Sequence, residues 1–391
     1  MSRSTTNVVL LGSTGSIGIQ TLDVLARLRR TGRAFRIVAL SARANEALLA
    51  EQIETVRPDV VSLVDRDGAQ RLRNRFPRLQ VLDGENGAAG LAALDDVDTV
   101  VNAIVGAAGL TATLAALARG RTVALANKES LVAGGPLVRD ALAAGGRLIP
   151  VDSEHSALFQ CLAAGRKDDV RRLILTASGG PFLGMNPAAR ASVTAADALR
   201  HPTWSMGKRI TIDSATLVNK AFEVIEAHYL FDVAYDRISA VVHPASVIHS
   251  LVEFRDGSIL AQAAAHDMRI PIQYALTYPE RLDTDLPRLD VAELGPLEFH
   301  PLDEREFPAF GTVLASAREG GSAPAAINAA DEILVGRFLR GDIAFDSVAR
   351  GLATTLERWR AEFGDRERPL DLPAVLSADR WARAFAGELA I

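Results

Sequence analysis

Residues 7–18, Asn-Val-Val-Leu-Leu-Gly-Ser-Thr-Gly-Ser-Ile-Gly, set an unbroken apolar run directly before three glycines, and no other stretch restricts the fold as much. A run such as Val8–Leu11 suits a strand covered on both faces, as in a parallel sheet. Gly12 then permits a tight turn, Gly15 lets backbone N–H groups approach a pyrophosphate, and Gly18 allows a following helix to pack closely on the strand. Ile17, Leu22, Leu25 and Leu28 recur at helical spacing, and "FRIVAL" at 35–40 reads as a second strand, which completes one βαβ unit. In this context the glycine pattern predicts a dinucleotide site over Gly12, Ser13, Thr14, Gly15, Ser16 and Ile17, with the helix dipole favouring the anion. A purely structural glycine-rich turn is the alternative.

Strand-like runs recur at 59–64, 99–105, 122–126 and 147–151 with helices between them. The chain is therefore expected to be α/β, with a Rossmann-like, doubly wound parallel sheet over residues 1–150. Beyond residue 173 the texture changes. "RLILTASGGPF", "RITID", "ISAVVHP", "SLVEFRDG" and "SILAQAAA" read as strands with irregular joins, and a helix is expected at about 215–230, so residues 151–285 predict a central α+β domain. Pro287, Pro296, Pro301 and Pro308 mark 286–309 as an extended linker, and helical periodicity over 310–391 predicts a C-terminal helical bundle.

Composition narrows the function classes. A net charge of -5 gives no attraction to a polyanion, and Arg71, Arg73 and Arg75 lie among Asp65, Asp67 and Asp83, as on a solvated helix face. No nucleic-acid partner is expected. The most apolar region, 99–126, is interrupted by Arg119 and Arg121 and divided by glycines, so no membrane span is expected either. One cysteine, Cys161, excludes an intramolecular disulfide and a multi-cysteine zinc site and fits a reducing compartment such as the cytoplasm.

Several motifs carry candidate chemistry. After the second strand, Ser41, Arg43 and Asn45 precede the first carboxylate, Glu46; this set suits a 2′-phosphate and favours NADP over NAD, unless Arg43 is only a surface cation. Asn127-Lys128-Glu129-Ser130 follows a strand end; a helix cap explains Asn127 or Ser130, whereas Lys128 suits a catalytic or substrate-polarising role. In Val151-Asp152-Ser153-Glu154-His155-Ser156, a strand persisting through Glu154 would put Asp152 and Glu154 on one side to bind Mg²⁺ or Mn²⁺. Equally, Asp152 or Ser153 can cap a helix, with Glu154 complementing its dipole. Further on, Ser214 can cap a helix bearing Asn219, Glu223 and Glu226 on one face, with Lys220 beside them, a combination suited to a phosphate and a metal. Ser178-Gly179-Gly180-Pro181 offers a hydroxyl and backbone donors, or a plain turn. The 200–209 loop, with His201, Trp204 and Met206, reads as a cover over a ligand or as a packed structural loop. His243 and His249 are expected to be core or supporting histidines, since their spacing defines no zinc site.

Taken in order, GSTGSIG, ANKESLV, VDSEH, SGGPF, RHPTWSMG, the DSAT…NK…E…E helix and HPASVIHS resemble the 1-deoxy-D-xylulose 5-phosphate reductoisomerases over the whole chain. These are NADPH-dependent enzymes of the non-mevalonate isoprenoid pathway. The resemblance implies a homodimer acting on a sugar phosphate, with Asp152, Glu154 and Glu223 as ligands of Mg²⁺ or Mn²⁺ and Lys128, Glu154 and Glu223 as catalytic residues. It implies phosphate binding by Ser178, Ser214, Asn219 and Lys220, substrate contacts from Ser153, Lys128 and Glu129, and a flexible loop bearing His201, Trp204 and Met206. Asn127, Glu129, Gly207 and Met268 fall on cofactor contacts. The chain departs from the family where Gly-Lys-Asn is replaced by Arg43-Ala44-Asn45, which moves the cation by one residue. A simple NADP-dependent sugar-phosphate dehydrogenase and a non-catalytic NADP-sensing protein are the rival readings.

Overall fold

The computed structural model describes residues 5–190, 192–200, 207–364 and 370–391; His201, Trp204 and Met206 lie outside the described residues. The chain divides into one unit built from residues 1–130, 138–156 and 267–287 and a second built from 131–137, 157–266 and 288–391.

In the first unit the apolar runs become β1 (Thr6–Leu11), β2 (Phe35–Ala42), β3 (Val60–Leu63), β5 (Thr99–Asn102), β6 (Thr122–Leu125) and β7 (Arg147–Pro150), with a short edge strand β4 (Gln80–Asp83) that the sequence pattern does not announce. All pair in parallel in the order β4-β3-β2-β1-β5-β6-β7. Helices α1 (Ser16–Arg30), α2 (Glu46–Val56), α3 (Arg66–Arg75), α4 (Gly87–Ala92) and α5 (Ala108–Ala118) alternate with them, and α6 (Glu129–Ala143) and α7 (Ser153–Leu162) have residues in both units. Val8, Val9, Leu10 and Leu11 are wholly buried, as a central parallel strand requires. The strand order reverses between β1 and β5, and open α/β sheets bind ligands outside the carboxyl ends of strands at such a point. Residues 267–287 return to this unit: α12 (Arg269–Thr277) packs on α1, Arg269 lies 2.8 Å from Asp23, and Arg33 donates to Glu280 at 3.0 Å. These partly exposed pairs add little stability, but they fix which helix faces α1.

The second unit holds a mixed sheet of β8 (Val170–Ala177), β9 (Ile238–Val242), β10 (Ile248–Phe254), β11 (Ile259–Ala263) and β12 (His300–Pro301), ordered β11-β10-β8-β9-β12. Its only parallel pair among these strands is β8 with β9. Single-turn α8 (Pro187–Arg190) and α9 (Ala195–Ala198) precede α10 (Lys208–Thr216) and α11 (Val218–Phe231). The chain closes with α13 (Pro308–Glu319), α14 (Ala323–Arg340), α15 (Phe345–Phe363) and α16 (Leu372–Glu388), whose shared core includes Phe310, Leu334, Val348, Leu352 and Val375. No helix among the described residues is long and apolar enough to cross a membrane.

Three expectations change. "RITID" is helical within α10, not a strand: Ile212 is fully buried, the Thr211 hydroxyl donates to the Gly207 carbonyl at 2.9 Å, and packing overrides β-branched propensity. The helix expected at 215–230 is α11, but Ser214 does not cap it; Ser214 lies in the last turn of α10, and Leu217, left-handed at φ 59°, joins the two helices. The stretch read as linker contains β12, which extends the sheet beside β9.

Candidate active site

In the first unit the turn after β1 has glycines where side chains cannot fit. Gly12 sits at φ 78°, and a Cβ there would lie 2.5 Å from the Ala103 carbonyl oxygen; a Cβ on Gly18 would meet the Gly12 oxygen at 2.3 Å. Gly15 precedes α1 and no side chain caps that terminus, while Thr14, Gly15 and Ser16 reach solvent. The result is a backbone cradle at an open helix N-terminus, which fits a dinucleotide pyrophosphate. Ser13 serves the loop itself. It is fully buried, donates its hydroxyl to Gln52 at 2.6 Å, and accepts from the Gln52 amide at 2.9 Å. Gln52 is a structural partner that only the fold reveals.

Beyond β2, Arg43 is exposed and has no side-chain partner among the described residues, whereas Glu46 is engaged by Arg71 at 2.7 Å. A free cation beside a neutralised acid suits a 2′-phosphate better than a free ribose hydroxyl pair. Asn45 caps α2 by accepting from the Leu48 amide at 3.2 Å. Met268, half-buried at the start of α12, belongs to this same unit.

After β6, Asn127 is a cap in full: its oxygen accepts from the Ser130 amide at 2.9 Å and from the Ser130 hydroxyl, and its nitrogen donates to Ile104 and Gly106 carbonyls and to Glu129. Glu129 accepts from the Gly106 amide at 2.9 Å, so it ties the loop after β5 to the loop after β6. Lys128 points elsewhere and donates to Asp152. Strand β7 ends at Pro150 and α7 starts at Ser153, so Asp152 and Glu154 do not alternate along a strand; they stand at the helix entry, where the Asp152 carbonyl accepts from Ser156 at 2.8 Å. The wholly buried His155 ring lies 3.2 Å from the second Asp152 oxygen. Burial pushes the Asp152 carboxyl up, but the Lys128 ammonium and His155 outweigh it and hold it well below the usual carboxylate range. Ser153 donates to Glu154 at 2.5 Å. The helix-entry reading and the carboxylate pair are thus both present in one hexapeptide.

In the second unit Gly179 and Gly180 adopt φ 85° and 68°, and a Cβ on Gly180 would lie 2.8 Å from the Ser214 carbonyl oxygen. That close approach sets the Ser178 turn against the end of α10; the Ser178 hydroxyl accepts from the Gly180 amide at 3.2 Å. One turn into α11, Lys220 and Asn219 hold the two oxygens of Glu223, the amide at 2.6 Å, and Lys220 and Glu223 are both buried. The Asn219 side-chain oxygen is buried with no hydrogen-bond partner among the described residues. Hydroxyls, an amide, an ammonium and a carboxylate therefore gather where α10 meets α11. Gly207 is exposed at the start of α10, and Arg209 anchors that start: it donates to Asn328 at 3.0 Å and lies 3.2 Å from the buried Asp331. Burial raises the Asp331 carboxyl despite Arg209. His243 and His249 are buried, and the His243 ring bonds the Glu298 carbonyl at 2.7 Å, a core role.

Comparison with known proteins adds an independent line. A family profile described as 1-deoxy-D-xylulose 5-phosphate reductoisomerase matches residues 8–135, that of its C-terminal domain matches 148–231, and a second C-terminal domain profile of DXP reductoisomerase matches 264–385. The 1-deoxy-D-xylulose 5-phosphate reductoisomerase of Heliobacterium modesticaldum is 49% identical over 391 residues, covering 97% of this chain and 96% of its own. That of Thermosynechococcus vestitus is 47% identical, covering 97% and 92%. The Zymomonas mobilis enzyme, solved in complex with NADPH, is 40% identical with a TM-score of 0.89 over 98% of both chains. A DOX-P reductoisomerase in complex with NADPH, fosmidomycin and magnesium is 38% identical with a TM-score of 0.91 over 97% of each.

Proposed function

The chain belongs to the 1-deoxy-D-xylulose 5-phosphate reductoisomerase family, and we infer from that membership that it rearranges 1-deoxy-D-xylulose 5-phosphate and reduces the product to 2-C-methyl-D-erythritol 4-phosphate, using NADPH and a divalent cation. The observation that carries the reading is the full-length likeness to an enzyme solved with NADPH, fosmidomycin and magnesium.

The donor chemistry supports Asp152, Glu154 and Glu223 as ligands of Mg²⁺ or Mn²⁺, since hard cations take carboxylate oxygens. Bound there, the cation would supply Lewis acidity, lowering a substrate hydroxyl pKa and stabilising oxyanion charge. Lys128 holds Asp152 as a carboxylate and adds positive charge near the reacting oxygens, while His155 orients the same carboxylate from its other side. Ser178, Ser214, Asn219 and Lys220 take the phosphate, and binding at that remote end orients the reacting end. Ser153 and Glu129 contact the substrate backbone. His201, Trp204 and Met206 cover the substrate and exclude water.

For the cofactor, the Gly12–Ile17 cradle holds the pyrophosphate and Arg43 the 2′-phosphate. Asn45, Asn127, Glu129, Gly207 and Met268 complete the proposed contacts. In this reading residues 1–150 form the NADPH-binding domain, 151–285 the catalytic domain and 310–391 a helical domain joined by 286–309. The family resemblance supports a homodimer, and the single unbridged cysteine supports the cytoplasm. Replacing Glu223 with Gln is expected to reduce turnover by about 100-fold or more while NADPH affinity stays within about twofold. Normal turnover in Glu223→Gln would remove the metal assignment.

A further inference from the structure

The second unit contains a cavity of about 390 Å³ to which none of the foregoing chemistry assigns a ligand. That volume lies in the range of small-molecule sites. One wall is apolar, with Phe307, Pro308, Phe345, Ala349 and Ala353; Arg190, Arg305 and Arg350 supply cations and Glu306 and Asp346 acids.

Arg190 is the informative residue. It is 5% exposed, donates to the Glu306 carbonyl at 2.6 Å and the Phe182 carbonyl at 3.4 Å, and stacks its guanidinium 4.8 Å from the Phe307 ring centre. The Glu306 carboxylate lies 3.6 Å from one terminal nitrogen. The buried Nε–H nevertheless has no partner among the described residues, and buried guanidinium donors are ordinarily satisfied. The first turns of α13 and α15 also line the cavity, and neither terminus has a side-chain cap. The three guanidinium groups outnumber the two carboxylates, and with the uncapped N-terminus of α13 they favour an anion, while Phe307 and Phe345 favour an apolar chain attached to it.

We propose that this cavity is a second binding site, for a small organic anion with a carboxylate or phosphate monoester head and a short unbranched apolar body. The head sits at Arg190 and the body lies against Phe307, Phe345 and Ala349. Ala215 and Thr216 also line the cavity, and the next residue, Leu217, is the left-handed joint between α10 and α11. Occupation therefore acts on the joint that carries Ser214 on one side and Asn219 and Lys220 on the other, and it alters KM for the ketose phosphate rather than NADPH affinity. This coupling rests on the function proposed above; the binding itself does not.

The test is calorimetric titration of the full chain with hexanoate and with hexyl phosphate, against hexanol and acetate as half-probes. At least one amphiphilic anion is expected to bind with a submillimolar Kd, the tighter one identifying the head group, and both half-probes at least about tenfold more weakly. Ala349→Phe fills the cavity and is expected to abolish binding with turnover unchanged; Arg190→Gln is expected to weaken it about tenfold or more. Binding that survives Ala349→Phe, or no binding of either anion at millimolar concentration, overturns the site. Anion binding that is lost in Ala349→Phe yet leaves KM for the ketose phosphate unchanged overturns the coupling.

Discussion

Replacing Lys220 with Met isolates the buried charge that faces Glu223 in α11. Glu223 is 1% exposed and Lys220 3% exposed; the ammonium donates to one carboxylate oxygen and the Asn219 amide to the other at 2.6 Å. Met retains much of the apolar stem and removes the charge. Stripping one partner from a buried ion pair costs about 3–5 kcal/mol because the remaining charge loses its compensation, and with Asn219 still in place the lower end, about 3 kcal/mol, is expected. At roughly 2–4 °C per kcal/mol for a body of this size, the metal-free protein is expected to melt ~6–12 °C lower. Lys220→Met/Glu223→Met removes both charges together and recovers most of the loss, so the two single substitutions are strongly non-additive. Scanning calorimetry in chelator measures this directly. Repeated with Mg²⁺, it should show a larger rise in Tm for Lys220→Met than for the unsubstituted chain, because the cation supplies the missing counter-charge to the state it binds. A Lys220→Met protein melting within about 2 °C of the parent in chelator, or additive losses in the double variant, would refute the coupling.

Two further outcomes follow from the first unit and the core. Arg43→Asp is expected to shift the NADPH/NADH ratio of kcat/KM toward NADH by about 10-fold or more, since it replaces an exposed cation with a ribose-hydroxyl acceptor; an unchanged ratio removes Arg43 as the discriminator. Burial pushes the Cys161 thiol up to about 11. A raised thiol pKa means that the folded state holds the proton more tightly, so stability falls as pH rises from about 9 toward 11 and Cys161→Ala removes that slope. At pH 8 the native thiol is expected to react with a thiol reagent about 100-fold more slowly than the unfolded chain, and rates within tenfold of each other would contradict its burial.

The legible parts of the chain were those where local pattern and tertiary demand agree. Val8–Leu11 had to be a doubly covered strand, and the glycines after it had to turn, because any Cβ at Gly12 or Gly18 meets backbone. The basic cluster at Arg71, Arg73 and Arg75 is the solvated face its neighbours implied, pairing with Glu46, Asp83 and Glu54. What sequence could not show was set by distant contacts. "RITID" carries β-branched residues, yet α10 packs on α11 and α14 and Ile212 is fully buried, so tertiary packing makes it helical. Strand β12 has only two residues and exists because β9 offers it an edge. Asp152 was readable as a cap or as a ligand, and the pattern could not choose because its backbone enters the helix while its carboxylate meets Lys128 and His155. Gln52 and Asp331 carried no local signal, since each matters only through a partner far along the chain.

The central claim is that metal-dependent rearrangement and NADPH-dependent reduction occur in this one chain. It is tested most directly by following NADPH oxidation with 1-deoxy-D-xylulose 5-phosphate as sole substrate, first in chelator and then with Mg²⁺ or Mn²⁺ restored. The expected result is no oxidation in chelator, recovery with either cation, and 2-C-methyl-D-erythritol 4-phosphate formed in step with the NADPH consumed. Oxidation that continues unchanged in chelator, or a protein that leaves the ketose phosphate untouched while reducing the rearranged aldehyde supplied separately, would contradict it.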